Sequence, residues 1–217
     1  MISLTVNCST SYPIYIGADI LKSKLFFETI KSSPLKMVLI TETNLSETLG
    51  QTLKDLLQIE MLVIPSGESF KTRETKQQLE DQLLEKKYGR DTCLIALGGG
   101  VVTDLVGFLA STYCRGIPSI YIPTSLLAMT DASIGGKTGV NTPFGKNMIG
   151  TFHQPQSVFM DTHVLFTLPD TEWKNGLAEI IKHALIADAQ LFADIQQNER
   201  KIKERDPDFM SELIFKS

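Results

Sequence analysis

LIALGGGVVTDLVGF, residues 94–108, decides how this chain reads. An apolar, β-branched run stops at three glycines, and an apolar helical pattern begins behind them. Such a turn presents bare backbone at a helix N-terminus, the arrangement that accepts an anion. DASIGGKTGVNTPFGKNMIG, residues 131–150, repeats the glycine theme and adds two lysines. Together the two stretches point to a dinucleotide and a phosphorylated small molecule.

Working outward, short β-rich runs alternate with helical spacing. ISLTVN and YPIYIG, split by CSTS, read as an N-terminal hairpin, and KMVLIT, MLVIPS, TCLIALGG and SIYIPT follow as strands. Leu45, Leu49, Leu53 and Leu56 stripe one intervening helix, and Leu79, Leu83 and Leu84 stripe another that ends at Gly89. This cadence predicts an α/β fold with a doubly wound, mostly parallel, Rossmann-like sheet over residues 1–161. TEWKNGLAEIIKHALIADAQLFADIQQNERKIKERD reads as successive helices, so residues 162–217 are expected to begin a second, helical domain.

Composition narrows the function. The 217 residues are 42% hydrophobic and 21% charged, which suits a globular chain with a sizeable core. A net charge of −4 and the lack of any Lys/Arg block argue against a nucleic-acid partner. No apolar run is long enough for a membrane span. Cys8, Cys93 and Cys114 are few and scattered, as in reduced cytosolic proteins, and the expected location is cytoplasmic.

In a doubly wound sheet ligands collect at the carboxyl ends of the strands. Gly98, Gly99 and Gly100 lie there, although the turn is not GxGxxG and a merely tight strand-to-helix connection would also use glycine. Glu42, in TETN after a strand, is placed to accept from ribose hydroxyls, whereas Asn44 can serve there or cap a helix. Lys137 and Lys146 are separated by glycines and a proline turn and are expected in one loop that brings both ammonium groups toward a single phosphate or carboxylate. Glu179, Lys182 and His183 stand at i, i+3 and i+4 and so share a helix face.

GGVVTD, YCRG, IPTSLL, DASIGGKTGVN, GKNMIG, TLP and GLAEIIKH follow one another in an order similar to that of the 3-dehydroquinate synthase family of sugar-phosphate cyclases, and PSGESFK extends the likeness toward the N-terminus. The resemblance implies NAD and a divalent metal, zinc or cobalt. It implies cyclisation of 3-deoxy-D-arabino-heptulosonate 7-phosphate to 3-dehydroquinate with loss of phosphate, a step of the shikimate pathway. The cycle it implies is transient oxidation of an alcohol, phosphate elimination, return of the hydride, ring opening and an aldol closure, with the substrate's own phosphate able to act as base.

Carried over by position, NAD contacts fall on Glu42, Asn44, the loop Ser66, Gly67, Glu68, Ser69, Phe70 and Lys71, and the turn Gly98, Gly99, Gly100, Val101, Val102, Thr103 and Asp104. They continue at Thr124, Ser125, Lys137, Lys146 and the segment Val164, Leu165, Phe166 and Thr167. Substrate contacts fall on Asp131, Lys137, Asn147 and Lys182, and on Arg115 reaching from a neighbouring subunit, which implies a homodimer. Serine at Ser125 and phenylalanine at Phe166 depart from the threonine and lysine many members carry. Glu179 matches one metal ligand, and the family's two histidine ligands have no counterpart among His153, His163 and His183. The chain is therefore expected to be a truncated synthase, the NAD domain plus the start of the metal domain, that binds NAD but turns over poorly. The alternatives are another sugar-phosphate cyclase, or a non-catalytic NAD-binding or dimerising remnant.

Overall fold

The computed structural model describes every residue except Ser9, which lies in the CSTS connection of the N-terminal hairpin. In chain order the elements are β1 (Ile2–Val6), β2 (Tyr12–Gly17), α1 (Lys24–Lys31), β3 (Lys36–Glu42), α2 (Thr43–Leu45), α3 (Gln51–Leu57), β4 (Glu60–Ile64), α4 (Arg73–Glu85) and β5 (Thr92–Gly98). They continue with α5 (Gly100–Thr112), β6 (Ser119–Pro123), β7 (Lys137–Thr142), β8 (Gly145–Phe152), β9 (Ser157–Asp161), α6 (Asp170–Ala187), α7 (Ala189–Gln197), α8 (Glu199–Lys203) and α9 (Pro207–Lys216).

Seven strands form one sheet in the order β1-β2-β9-β6-β5-β3-β4, with only the β1–β2 pair antiparallel. This is the mostly parallel α/β sheet expected. The chain runs outward from β3 to β4, then returns across β3 to β5, so the switch in strand order falls between β3 and β5. The triglycine follows β5 at that switch. Strand β5 is buried throughout because both its faces are covered. Leu94 and Ala96 join a core with α4, α5 and the C-terminal helices, while Cys93, Ile95 and Leu97 join a second core with α1 and α3. Alternation of side chains across the pleat thus builds three layers from one apolar run.

Several expected details change. The stripe from Leu45 to Leu56 is not one helix: a single π-helical turn, Ser46–Gly50, separates α2 from α3, and Leu56 is exposed while Leu53 and Leu57 are buried. Helix α4 ends at Glu85, where Tyr88 N donates to Leu83 O (2.9 Å) and Lys87, not Gly89, takes the left-handed conformation. Leu84 consequently points to solvent. The segment carrying Lys137 and Lys146, expected as a loop, forms the antiparallel hairpin β7–β8. Strand β9 completes the sheet between β2 and β6.

Residues 162–217 are helical, and their apolar side chains Trp173, Ile180, Leu191, Met210, Leu213 and Ile214 pack into the same core as α5. No helix among the described residues is long and apolar enough to cross a membrane.

Candidate functional site

Helix α5 leaves the glycine turn with its axis aimed away from the strand ends. The Gly99 carbonyl accepts from Val102 N (3.0 Å) and Thr103 N (3.1 Å), so the amides of Gly100 and Val101 stand at the open helix terminus. The turn leaves no room for a side chain at Gly98 and little at Gly99 and Gly100. A Cβ on Gly98 would lie 2.4 Å from Val102 Cγ2, one on Gly99 3.3 Å from Ser125 Oγ, and one on Gly100 3.2 Å from Ala132 Cβ. Thr124 N donates to Gly98 O (2.9 Å) and locks the loop after β6 against the turn. The result is a backbone cradle at a 13-residue helix N-terminus, which fits a diphosphate.

Beside it, the loops after β3 and β4 are stitched together. Thr43 Oγ1 and Ser66 Oγ lie 2.8 Å apart, Asn44 N donates to Ser66 Oγ (3.0 Å), and Ser66 N donates to Thr43 Oγ1 (3.2 Å). Ser66 therefore spends its hydroxyl and amide on holding the loops, and no side chain caps α2 at Glu42. Farther along, Lys71 is buried, and its ammonium donates to Asp104 and to Asn147 Oδ1 (2.6 Å). Burial pushes the Asp104 carboxyl above the ordinary aspartate value, against the pull of Lys71 and with help from Glu68 and Asp131.

These parts line a cleft of about 1330 Å³ at the carboxyl ends of the strands. It brings together Glu42, Asn44, Gly67, Glu68, Lys71, Gly99, Gly100, Val101, Asp104, Thr124, Ser125, Lys146, Val164 and Thr167. A smaller cavity of about 400 Å³ adjoins it, lined by Lys137, Thr138 and Met148, and the two share Asp104, Asp131 and Asn147. One volume suits an extended dinucleotide and the other a small phosphorylated ligand.

Other expected residues lie elsewhere. Val102, Thr103 and Leu165 are buried, so their side chains face the packed interior and not the cleft. Ser69 and Phe70 do not line it, and Phe166 lies half-exposed beside His163, with ring centroids 5.7 Å apart. The two lysines do not converge on one anion. Lys137 opens β7 opposite Phe152, whereas Lys146 sits near the hairpin turn, roughly 15 Å along the strand at about 3.4 Å per residue. Lys137 lines the small cavity and Lys146 the large one.

Arg115 is exposed beyond the far end of α5, on the order of 20 Å from the glycine turn at 1.5 Å per helical residue, and faces neither cavity of its own chain. Glu179 is paired with Lys182 and with His183 Nε2 (3.0 Å), and the Lys182 ammonium first, then His183, holds its carboxyl below the usual glutamate range. Among the described residues no group of three His, Cys, Asp or Glu side chains is placed to hold a metal ion. The residues present therefore do not by themselves make a metal site.

Sequence reading missed some of the lining. Glu172 and Asn175 on α6 face the large cleft. They lie seven and four residues before Glu179, a helical spacing that could have revealed them. Thr48, in the π-helical turn, and Thr52, in α3, also line it, and the sequence carries no evident signal for that turn.

The chain is similar to known proteins over its whole length. The family described as 3-dehydroquinate synthase N-terminal matches residues 61–175, and that described as 3-dehydroquinate synthase C-terminal matches residues 176–217. A 3-dehydroquinate synthase of Pseudoalteromonas translucida is 45% identical over 100% of this chain and 62% of its own length. The chain thus spans about three fifths of the curated relatives it matches. Among solved structures, a 2-epi-5-epi-valiolone synthase from Streptomyces hygroscopicus subsp. jinggangensis with NAD⁺ and Zn²⁺ bound superposes with TM-score 0.84 at 30% identity, covering 98% of this chain and 60% of that one. A 2-deoxy-scyllo-inosose synthase complexed with carbaglucose-6-phosphate, NAD⁺ and Co²⁺ gives TM-score 0.77 at 25% identity over 85% of this chain and 52% of the other.

Proposed function

We propose, since this chain belongs to the 3-dehydroquinate synthase family, that it supplies the NAD-binding half and part of the substrate site of a shikimate-pathway cyclase that makes 3-dehydroquinate from 3-deoxy-D-arabino-heptulosonate 7-phosphate. The observation that carries this reading is the pair of adjoining cavities, one on the glycine cradle and one on Lys137, with a shared wall of Asp104, Asp131 and Asn147. Identity of 45% to synthases, against 25–30% to the other cyclases, favours this member of the enzyme class. We place the cofactor unit at residues 1–161 and the start of the substrate and metal unit at 162–217.

NAD⁺, when bound, supplies a transient hydride acceptor, which makes the C–H beside the new ketone acidic. The protein's part is binding and orientation. Amides of Gly99 to Val101 hold the diphosphate, and Glu42 accepts from the adenosine ribose. Lys71 fixes both Asp104 and Asn147. Because the Asn147 carbonyl oxygen is taken by Lys71, its Nδ2 is left to donate to a substrate hydroxyl or phosphate oxygen. Lys137 meets the phosphate from the opposite wall. That phosphate can take the acidic proton itself, so these residues need only orient it.

Glu179 is the carboxylate that would offer one ligand to a zinc or cobalt ion. A second copy contributing Arg115 would make the working unit a homodimer, acting in the cytoplasm.

Titration calorimetry tests the assignment. The NAD⁺-loaded chain should bind the seven-carbon keto-acid phosphate, and Lys137→Met should weaken that binding about tenfold or more, roughly 1.4 kcal/mol. Absence of substrate binding to the NAD⁺-loaded wild type contradicts the proposal.

A further inference from the structure

The hairpin β7–β8 touches the Glu68 side through Lys146, whose Nζ lies 3.8 Å from Glu68 Oε1, and more closely through Asn141, which the proposed chemistry does not use. Asn141 Nδ2 donates to Glu68 Oε1 (2.8 Å), Asn141 Oδ1 accepts from Asn147 N (3.0 Å), and Asn141 N donates to Lys71 O (2.8 Å). One side-chain amide thus spends its donor on the loop after β4 and its acceptor on the hairpin. Neither oxygen nor nitrogen of that amide is exchangeable for the other's role.

What it holds is unusual. Asn147 has φ 55°, a left-handed conformation in mid-strand that costs a non-glycine residue on the order of 1 kcal/mol or more. The bond from its amide to Asn141 offsets that cost and aims its side chain at Lys71, on the wall common to both cavities. Asn141 itself lines neither cavity.

We infer that Asn141 is a positioning residue that couples the two cavities, transmitting occupancy of the Glu68–Lys71 loop by the cofactor to the conformation of Asn147 and the strand behind it. The inference rests on the cofactor assignment above. Ligand on the Glu68 side stiffens the loop, the Asn141 amide carries that constraint to Asn147, and the small cavity becomes ordered before substrate arrives. Met148, Gly150, Thr151 and Phe152 line only the small cavity, so they report the transmission without touching the cofactor.

Hydrogen exchange of the full chain, with NAD⁺ as the probe, reads this out. In the wild type, saturating NAD⁺ should slow exchange across residues 148–152 about fivefold or more. Asn141→Asp keeps the acceptor for Asn147 N but sets a carboxylate against Glu68. It should still bind NAD⁺ yet lose the slowing. Without NAD⁺ the variant should exchange residues 148–152 within about twofold of the wild-type rate, because the acceptor for Asn147 N is kept, whereas a merely structural role for Asn141 accelerates that exchange with or without cofactor. Slowing that is unchanged in the variant, slowing absent from NAD⁺-bound wild type, or cofactor-free exchange already accelerated in the variant overturns the inference. Failure of the wild type to bind NAD⁺ overturns the cofactor assignment itself, and the coupling with it.

Discussion

At the scale of the residue, the glycine turn separates two kinds of constraint. Gly98 is glycine for packing, since a Cβ would strike Val102 at 2.4 Å, whereas Gly100 meets only Ala132 at 3.2 Å and otherwise borders the cleft. Gly98→Ala should therefore lower stability by about 1–3 kcal/mol in chemical denaturation. Gly100→Ala, at a helix start that tolerates alanine, should leave the melting temperature near wild type and weaken NAD⁺ about tenfold or more in calorimetry. Both glycines were legible as a group, but only the neighbours Val102 and Ala132, known from the fold, assign them different duties.

Lys71 illustrates what a sequence hides. Its motif suggests a cofactor contact, yet its ammonium is buried between Asp104 and Asn147, and nothing in SGESFK discloses partners 33 and 76 residues away. Lys71→Met leaves Asp104 buried without its cation and should cost about 3–5 kcal/mol at neutral pH. The sign of the pH dependence follows from the raised Asp104 value. An acid that holds its proton more tightly in the folded state destabilises the fold as pH rises from the ordinary aspartate value through the folded one. Loss of Lys71 raises the folded value further, so the variant's deficit should shrink on acidification from neutral pH. Denaturation curves for both proteins at neutral and acidic pH measure it, and a deficit that grows on acidification contradicts the assigned pairing.

At the scale of the element, what could be read depended on how each strand is buried. β3, β5 and β6 are covered on both faces and therefore announce themselves as apolar runs. β8 is exposed along most of its length, and β7 carries glycine at Gly139 where the Ile149 carbonyl would lie 2.6 Å from a Cβ, so neither shows an apolar run. Their glycines and lysines read as a loop. The hairpin is in fact seated by α5 through Gly107, where a Cβ would fall 2.2 Å from Tyr121 Oη and 2.4 Å from Thr138 Cγ2. Gly107→Ala should therefore cost about 1–3 kcal/mol by overpacking. It should also accelerate amide exchange in 137–152 more than in β5. Uniform acceleration of both would show that the hairpin is not held at that point.

At the scale of the whole molecule, the α/β class followed from the cadence of strands and helices. The order β1-β2-β9-β6-β5-β3-β4 did not, because β9 is a five-residue strand inserted between β2 and β6 by contacts no local pattern encodes. That order matters for function: it puts the switch point beside β5 and opens the cleft above the triglycine. The metal side is the least legible part, since Glu179 is already paired with Lys182 and His183 and no group of three ligand side chains forms among the described residues.

A nicotinamide dinucleotide seated by its diphosphate on the turn after β5 should show itself in amide chemical shifts recorded during an NAD⁺ titration. The largest saturable changes should fall at Gly99, Gly100 and Val101, accompanied by Glu68 and Lys71, with little change in α7 to α9. Saturating NAD⁺ that leaves the amides of residues 99–101 unmoved would contradict that seating.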